Sequence, residues 1–502
     1  MPVVVVAGLF CAAPIGAPSL TAQSSSVAST AIVGATLIDG NGGPPVRDAV
    51  VVITGSRVAA AGPRASVAVP AGAKVVDAAG KYLVPGFVDT NVHLSLYGGA
   101  GDRYESLVRY ESRQNDIVLE AGQIDLTYGV TTVRDSYGML VPLTATRDRI
   151  NAGQAIGPRI LAAGNILGWS GPYSISFSLT PSKGLTLFQE QMNDAVALGG
   201  GEELMGMTPA QLRVAIDKYL DKGPDFLKYG GTSHFSDPTY IGFSPEAQKV
   251  IVEEAHKRGK SVDVHSTNVE GLRLSIEAGI DVIQHPELID DQEVPDDLVQ
   301  MIHDRHLICS MLVSTITGEA WQTHVKAREA FEKKRAEEIK KGTMPEKPRT
   351  TFEQRQLDAD LGTSLEIRRK NAEKLVKAGC VVTPGTDSYW AAAAELARAP
   401  KPRNQDHGIG TIFAIEGLVE LGMTPSQAIV AGTKNGAIAS RGEKVFGTIE
   451  AGREADLVLL TADPLADIHN IEKVDAVYKG GAAIDRKAMP QVRVLSRPEG
   501  AR

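Results

Sequence analysis

The chain has 502 residues, 43% hydrophobic and 22% charged, which is enough for a large core and a second, smaller unit. A formal charge of -8 gives no general field for phosphate backbones, and no apolar run reaches the roughly 20 residues of a membrane span, so nucleic acid and a bilayer crossing are excluded as expectations. Cys11, Cys309 and Cys380 form neither a disulfide framework nor a zinc-ligand spacing, which leaves a small molecule as the expected partner.

In chain order, MPVVVVAGLFCAAPIGAPSLTAQSSS comes first. It is an apolar run of signal-peptide length followed by small residues, with Leu20-Thr21-Ala22 as a cleavage site. Residues 1–22 therefore read as a signal peptide and the mature protein as periplasmic or secreted. The alternative is a frayed apolar start on a cytoplasmic protein, because no Lys or Arg precedes Arg47. From 31 to 84, Val- and Ile-rich runs such as AIVGATLIDGNG and DAVVVITGSRV are broken by Gly, Asn and Pro, the pattern of short strands and turns. FGTIEAGREADLVLL and VDAVYKGGAAI repeat that style near the other end. A small β-sandwich domain built from 31–84 and 441–490 is expected.

Residues 85–440 alternate strand-like and helix-like runs. The strands are YLVPGFVDTNVH, YGVTTVRDS, PRILAAGN, DFLKYGG, KSVDVHS, DVIQHP, HLICSML and CVVTPGTDS, with amphipathic segments such as SPEAQKVIVEEAHKRG between them. The eight units match the arithmetic of a (β/α)8 TIM barrel, an α/β fold whose chemistry sits at the carboxyl ends of its strands. Two insertions interrupt it. The Gly-rich stretch 166–207 would reach over the barrel mouth as a lid, and 318–360 is a charged helix with a Pro-containing break.

The strand ends carry Asn91 and His93, Lys228, His265, His285 and Asp387. Residues two apart on a strand share a face, so Asn91 and His93 point to one centre, and imidazoles with a carboxylate suit a divalent ion such as zinc. The structural alternatives are a helix N-cap role for Asp387 ahead of YWAAAAELA and an ion-paired surface position for Lys228. His256, His303, His306, His324 and His469 read as core or surface residues. His234, just past Lys228, and Tyr137 and Trp169, on adjoining loops, are the candidates for substrate contact.

These landmarks, PGFVD with His93, Lys228, His265 after EEAHKRGK, His285 in EAGIDVIQH and Asp387 in PGTDS, resemble the amidohydrolase superfamily from Ala31 to Gly481. The tail ELGMTPSQAIVAGTKNGA with GTIEAGREADLVLL resembles its imidazolonepropionase-like and prolidase-like branch. The resemblance implies an N6-carboxylated Lys228, which needs a neutral amine first. It also implies His265 and His285 on one metal position and His93 with Asp387 on the other. Asn91 stands where most members carry His, a weak ligand for zinc; one firmly bound ion, with a second absent or labile, is therefore expected. Asn-x-His also resembles the phenylurea and thiocarbamate hydrolases.

The implied reaction is metal-assisted hydrolysis of a C–N bond at an amide, urea or carbamate carbonyl, with Asp387 moving the proton. Two alternatives stay open. One is an exported Xaa-Pro-like or N-acyl amino acid dipeptidase, with His234, Tyr137 or Arg134 to hold a substrate carboxylate. The other is a catalytically silent metal-binding scaffold. A homo-oligomer is expected.

Overall fold

The computed structural model describes residues 29–97, 109–178, 183–234, 239–289, 292–390 and 403–496. The segment read as a signal peptide, with Cys11, and the run YWAAAAELA from its third residue lie outside the described residues.

Both chain ends contribute to one eight-stranded sheet. Ser29–Leu37 pairs antiparallel with Val46–Thr54, and parallel with Lys74–Asp77 and Tyr82–Pro85; the last of these pairs antiparallel with Leu457–Leu460 from the far end. The alternation read from the sequence becomes two faces. Ile32, Leu37, Val51, Ile53, Leu83 and Leu459 pack in one apolar cluster, while Ala31, Val33, Val50 and Val52 pack in another.

The middle of the chain forms two sheets in which every pair is parallel. One runs in the order Ile166–Leu167, Leu227–Gly230, Val262–His265, Val282–Gln284, Ile308–Met311, Val381–Pro384; the other runs Arg159–Ala162, Val130–Asp135, Phe87–Tyr97, Ser388–Trp390. These strands are buried on both faces, which explains their nearly continuous apolar reading. The sheets contact each other on two sides. Thr90 Oγ1 donates to Pro384 O at 2.8 Å, and Asp225 N, just before Leu227–Gly230, donates to Ala162 O at 2.7 Å.

The intervening helices start where the sequence signals a start. Thr208 forms a capping box with Gln211 ahead of Pro209–Leu220, and Ser244 caps Pro245–Lys257, each with Pro in its first turn. The stretch taken as an insertion from 166 begins inside a sheet, because Ile166 and Leu167 pair with Lys228 and Tyr229. The 318–360 stretch forms the helices Gly318–Lys340 and Thr351–Leu361, neither with a fully buried residue. Arg159 anchors the terminal sheet to the middle of the chain through an ion pair of 2.9 Å with Asp456. Cys309 and Cys380 are buried and free. Among the described residues no helix is long and apolar enough to cross a membrane.

Candidate active site

Asp387, His93, His285, Asn91, Lys228 and His265 come together at the carboxyl ends of the parallel strands. Local structure aims them. The strand Phe87–Tyr97 puts Asn91 and His93 on one face. His285 and Asp387 each leave a strand with positive φ, 54° and 52°, a conformation uncommon for residues other than Gly that turns both side chains inward. Buried Asp89 holds this corner: it accepts from the backbone N of Asn91 at 3.1 Å and from the hydroxyls of Thr386 and Thr411 at 2.8 and 2.7 Å. Burial pushes its carboxyl up to about 6. Asp387 does not cap a helix here, because Ser388–Trp390 is a strand paired with Phe87–Tyr97.

Asp387 Oδ1 is the meeting point. Asn91 Nδ2 lies at 2.6 Å, His93 Nε2 at 3.0 Å and His285 Nε2 at 3.4 Å. His93 Nδ1 is 3.0 Å from the Tyr137 carbonyl, which orients the ring so that Nε2 faces the centre. Lys228 is buried, and its Nζ donates to Ser136 Oγ at 3.0 Å. Ser136 Oγ donates in turn to Asn91 Oδ1.

The environment sorts the protonation states. Burial, reinforced by the neighbouring His285, His234 and Lys228, drives the His265 imidazole well below its ordinary value, and burial brings His285 down to about 4. Burial also lowers the Lys228 amine, against the pull of Asp387, Asp263 and Asp135. For Asp387 burial acts upward, but His285 and the hydrogen bond from His93 outweigh it and hold the carboxyl well below its usual range. Two neutral imidazoles, His265 and His285, an amine pushed toward neutrality and an ionised carboxylate therefore share one rim.

Whether a divalent ion fits is decided by these donors. His265 Nε2 and His285 Nδ1 are buried without a hydrogen-bond partner, and His93 is tied at Nδ1 to a carbonyl, the arrangement that leaves the other ring nitrogen to ligate. The donor chemistry fits. The spacing is contracted, with Asp387 closed onto its neighbours, and among the described residues no three His, Cys, Asp or Glu side chains stand in a geometry that could hold an ion.

An aromatic wall borders the rim. Trp169 is buried with its ring centroid 4.9 Å from that of His265, and its Nε1 donates to Thr232 O at 3.3 Å. It fits there because Gly230 has no side chain: a Cβ would lie 2.2 Å from the indole nitrogen. Tyr137 is buried edge-on to both His93 and Trp169. His234 is exposed and stacks on Phe177 with centroids 4.7 Å apart. The 166–207 stretch thus reaches the rim through Trp169 and Phe177, held by Ser176 O accepting from His234 N at 2.9 Å and by Ser176 Oγ donating to Glu202 at 2.6 Å.

Arg134, a sequence candidate for a substrate carboxylate, is not available. It is buried, with an ion pair of 2.6 Å to Asp263, a hydrogen bond of 2.8 Å to Ala439 O and Phe226 packed 3.8 Å beneath its guanidinium. Three residues at or near the rim escaped the sequence reading. Ser136 closes the strand end VTTVRDS, a position that could have marked it. Arg368 and Glu287 are buried charges whose fields reach Asp387, and nothing in their local sequence marks them. A cavity of about 1000 Å³ lies apart from the imidazoles, lined by Thr317, Phe413, Glu416 and Glu472 among others, so donor chemistry and not cavity size locates the site.

Comparison with known proteins agrees with this picture. The profile of the Amidohydrolase family matches residues 82–484. The structure of molinate hydrolase superposes with a TM-score of 0.80 at 30% identity, covering 95% of this chain and 99% of that one. Phenylurea hydrolase B gives 0.80 at 32% identity, covering 94% and 100%. Ochratoxinase of Aspergillus niger is 24% identical over 489 residues, 92% of this chain and 88% of that protein.

Proposed function

The chain belongs to the amidohydrolase family and is an enzyme of that class; from that premise we propose that it hydrolyses a carbon–nitrogen bond at the carbonyl of a small urea, carbamate or amide, with a divalent ion, zinc by preference. In this reading the two parallel sheets are halves of one (β/α)8 barrel over 85–440, with the site on its carboxyl rim and the terminal sheet as a separate β-sandwich domain. The superfamily generally uses divalent metals, and here His93, His265, His285, Asp387 and an N6-carboxylated Lys228 would hold one.

One observation carries the proposal. Buried imidazoles are driven neutral beside a carboxylate that stays ionised, the condition in which nitrogens ligate and an acid accepts a proton. A bound ion would supply Lewis acidity, lowering the pKa of water to about 7 and polarising a carbonyl. Asp387 takes the proton of the attacking water and returns it to the departing nitrogen. The Tyr137 carbonyl, taking the Nδ1 proton of His93, keeps His93 Nε2 on the Asp387 side of the rim, where it would ligate. Trp169, Tyr137, Phe177 and His234 form an aromatic wall for the group borne on the scissile nitrogen or carbonyl.

The likeness to phenylurea hydrolase B and molinate hydrolase supports a urea-type carbonyl over a peptide. A dipeptidase would need a cation for the substrate carboxylate, and Arg134 is committed to Asp263. A panel of phenylureas and N-aryl or N-alkyl carbamates, run against N-acyl amino acids and Xaa-Pro dipeptides, tests the reading. Turnover confined to the first group is the expected result; turnover confined to the second would replace this proposal with a dipeptidase.

A further inference from the structure

Asn91 sits where the motif calls for a first metal-binding imidazole, and its surroundings assign it different work. A carboxylate only accepts hydrogen bonds, so the amide has to turn Nδ2 toward Asp387 Oδ1, at 2.6 Å. Its Oδ1 then faces away from Asp387, onto Ser136 Oγ. Ser136 carries a single proton. The Asn91 amide oxygen only accepts, so that proton goes to Asn91, and the Ser136 oxygen accepts from Lys228 Nζ at 3.0 Å.

Donation thus runs one way from Lys228 through Ser136 and Asn91 to Asp387. Asn91 and Ser136 are fully buried. The backbone pins Asn91 as well: its N donates to Asp89 at 3.1 Å and its O accepts from Asp387 N at 2.8 Å. The buried amide is thus held at both of its ends, on a backbone held at two further points, with its oxygen turned away from the centre.

We propose that Asn91 is a positioning residue which donates to Asp387 instead of ligating metal, with Ser136 setting the direction of its amide and Lys228 setting that of Ser136. The consequence for metal rests on the function proposed above. With the amide oxygen engaged by Ser136, the second metal position is one donor short, and one firmly held ion per chain follows.

A double-mutant cycle of Asn91→Leu and Ser136→Ala separates the two claims. The first readout is the thermal unfolding midpoint of protein stripped with a chelator, where the hydrogen bonds exist without an ion. The double variant should lose clearly less than the sum of the two single losses. The second is zinc affinity by competition with a chromophoric chelator. Each single variant should weaken it about tenfold, as loss of an outer-shell partner does, and the double by clearly less than the product. Asn91→Ala completes the same cycle where the leucine variant is not recovered folded.

Additive midpoints with multiplicative affinities would overturn the relay, and so would an unaffected Ser136→Ala. A zinc-loaded crystal structure with Asn91 Oδ1 on the ion would do the same. Non-additive midpoints in a wild-type protein that binds no zinc would leave the relay standing and remove the ion from the proposed function.

Discussion

His93 Nε2 lies 3.0 Å from Asp387 Oδ1, although 294 residues separate them along the chain. The contact joins the first parallel strand of the middle region to the turn between its last two strands, Val381–Pro384 and Ser388–Trp390, where the carboxylate assigned to proton transfer sits. Replacing Asp387 by Asn keeps the shape and the hydrogen-bonding partners' positions but removes the basic oxygen. Turnover on a responsive substrate should fall by roughly 10² or more, with the circular dichroism spectrum unchanged. Rates close to wild type in that variant would dissociate Asp387 from the chemistry.

Lys228 should exist as a carbamate in the loaded protein. Burial lowers its amine, and a neutral amine is the form that adds carbon dioxide. Protein equilibrated with ¹³C-bicarbonate and zinc should show a carbamate carbon resonance that is missing from Lys228→Met. An identical spectrum from the two proteins would leave Lys228 as an ordinary amine.

Arg134 should matter for stability and not for substrate. Arg134→Ala strands the buried Asp263 carboxylate, whose other partner is Gln284 at 2.7 Å. Breaking one side of a buried pair costs about 3–5 kcal/mol, read as a lower urea midpoint. At temperatures where the variant stays folded, KM should be unchanged for substrates with and without a carboxylate. A selective rise in KM for carboxylates would restore Arg134 as a binding residue.

Glu416 gives the fold a dependence on pH away from the rim. Burial first, then the neighbouring Glu472, pushes its carboxyl up to about 8. The native state therefore holds a proton that the unfolded chain releases near 4.5, so the associated stability is full below about 4.5 and lost as pH rises through about 8. Glu416→Gln keeps a neutral side chain at every pH. Its melting temperature should match wild type at pH 4 and exceed it at pH 9; an equal difference at both values would show that Glu416 does not titrate in this range.

The strand ends were legible in the sequence because a strand has a short, regular period. VDVH, VIQ before His285 and VVTP before Gly-Thr-Asp387 each read as buried strands, and each proved to be one. What stayed hidden was contact across the chain. Arg134 reads as an available cation until Asp263, 129 residues on, is seen to hold it. Asn91 reads as a weak ligand because spacing fixes which face a side chain takes but not which end of an amide points inward; that depends on Ser136 and Lys228 from other strands. Ile166–Leu167 is too short to carry a period, so a strand there read as loop.

The most direct measurement is turnover of a phenylurea or carbamate substrate before and after exhaustive chelation, alongside elemental analysis of the same sample. The account predicts about one divalent ion per chain, loss of turnover when it is removed, and recovery on adding zinc. Full turnover by protein containing no metal would contradict it.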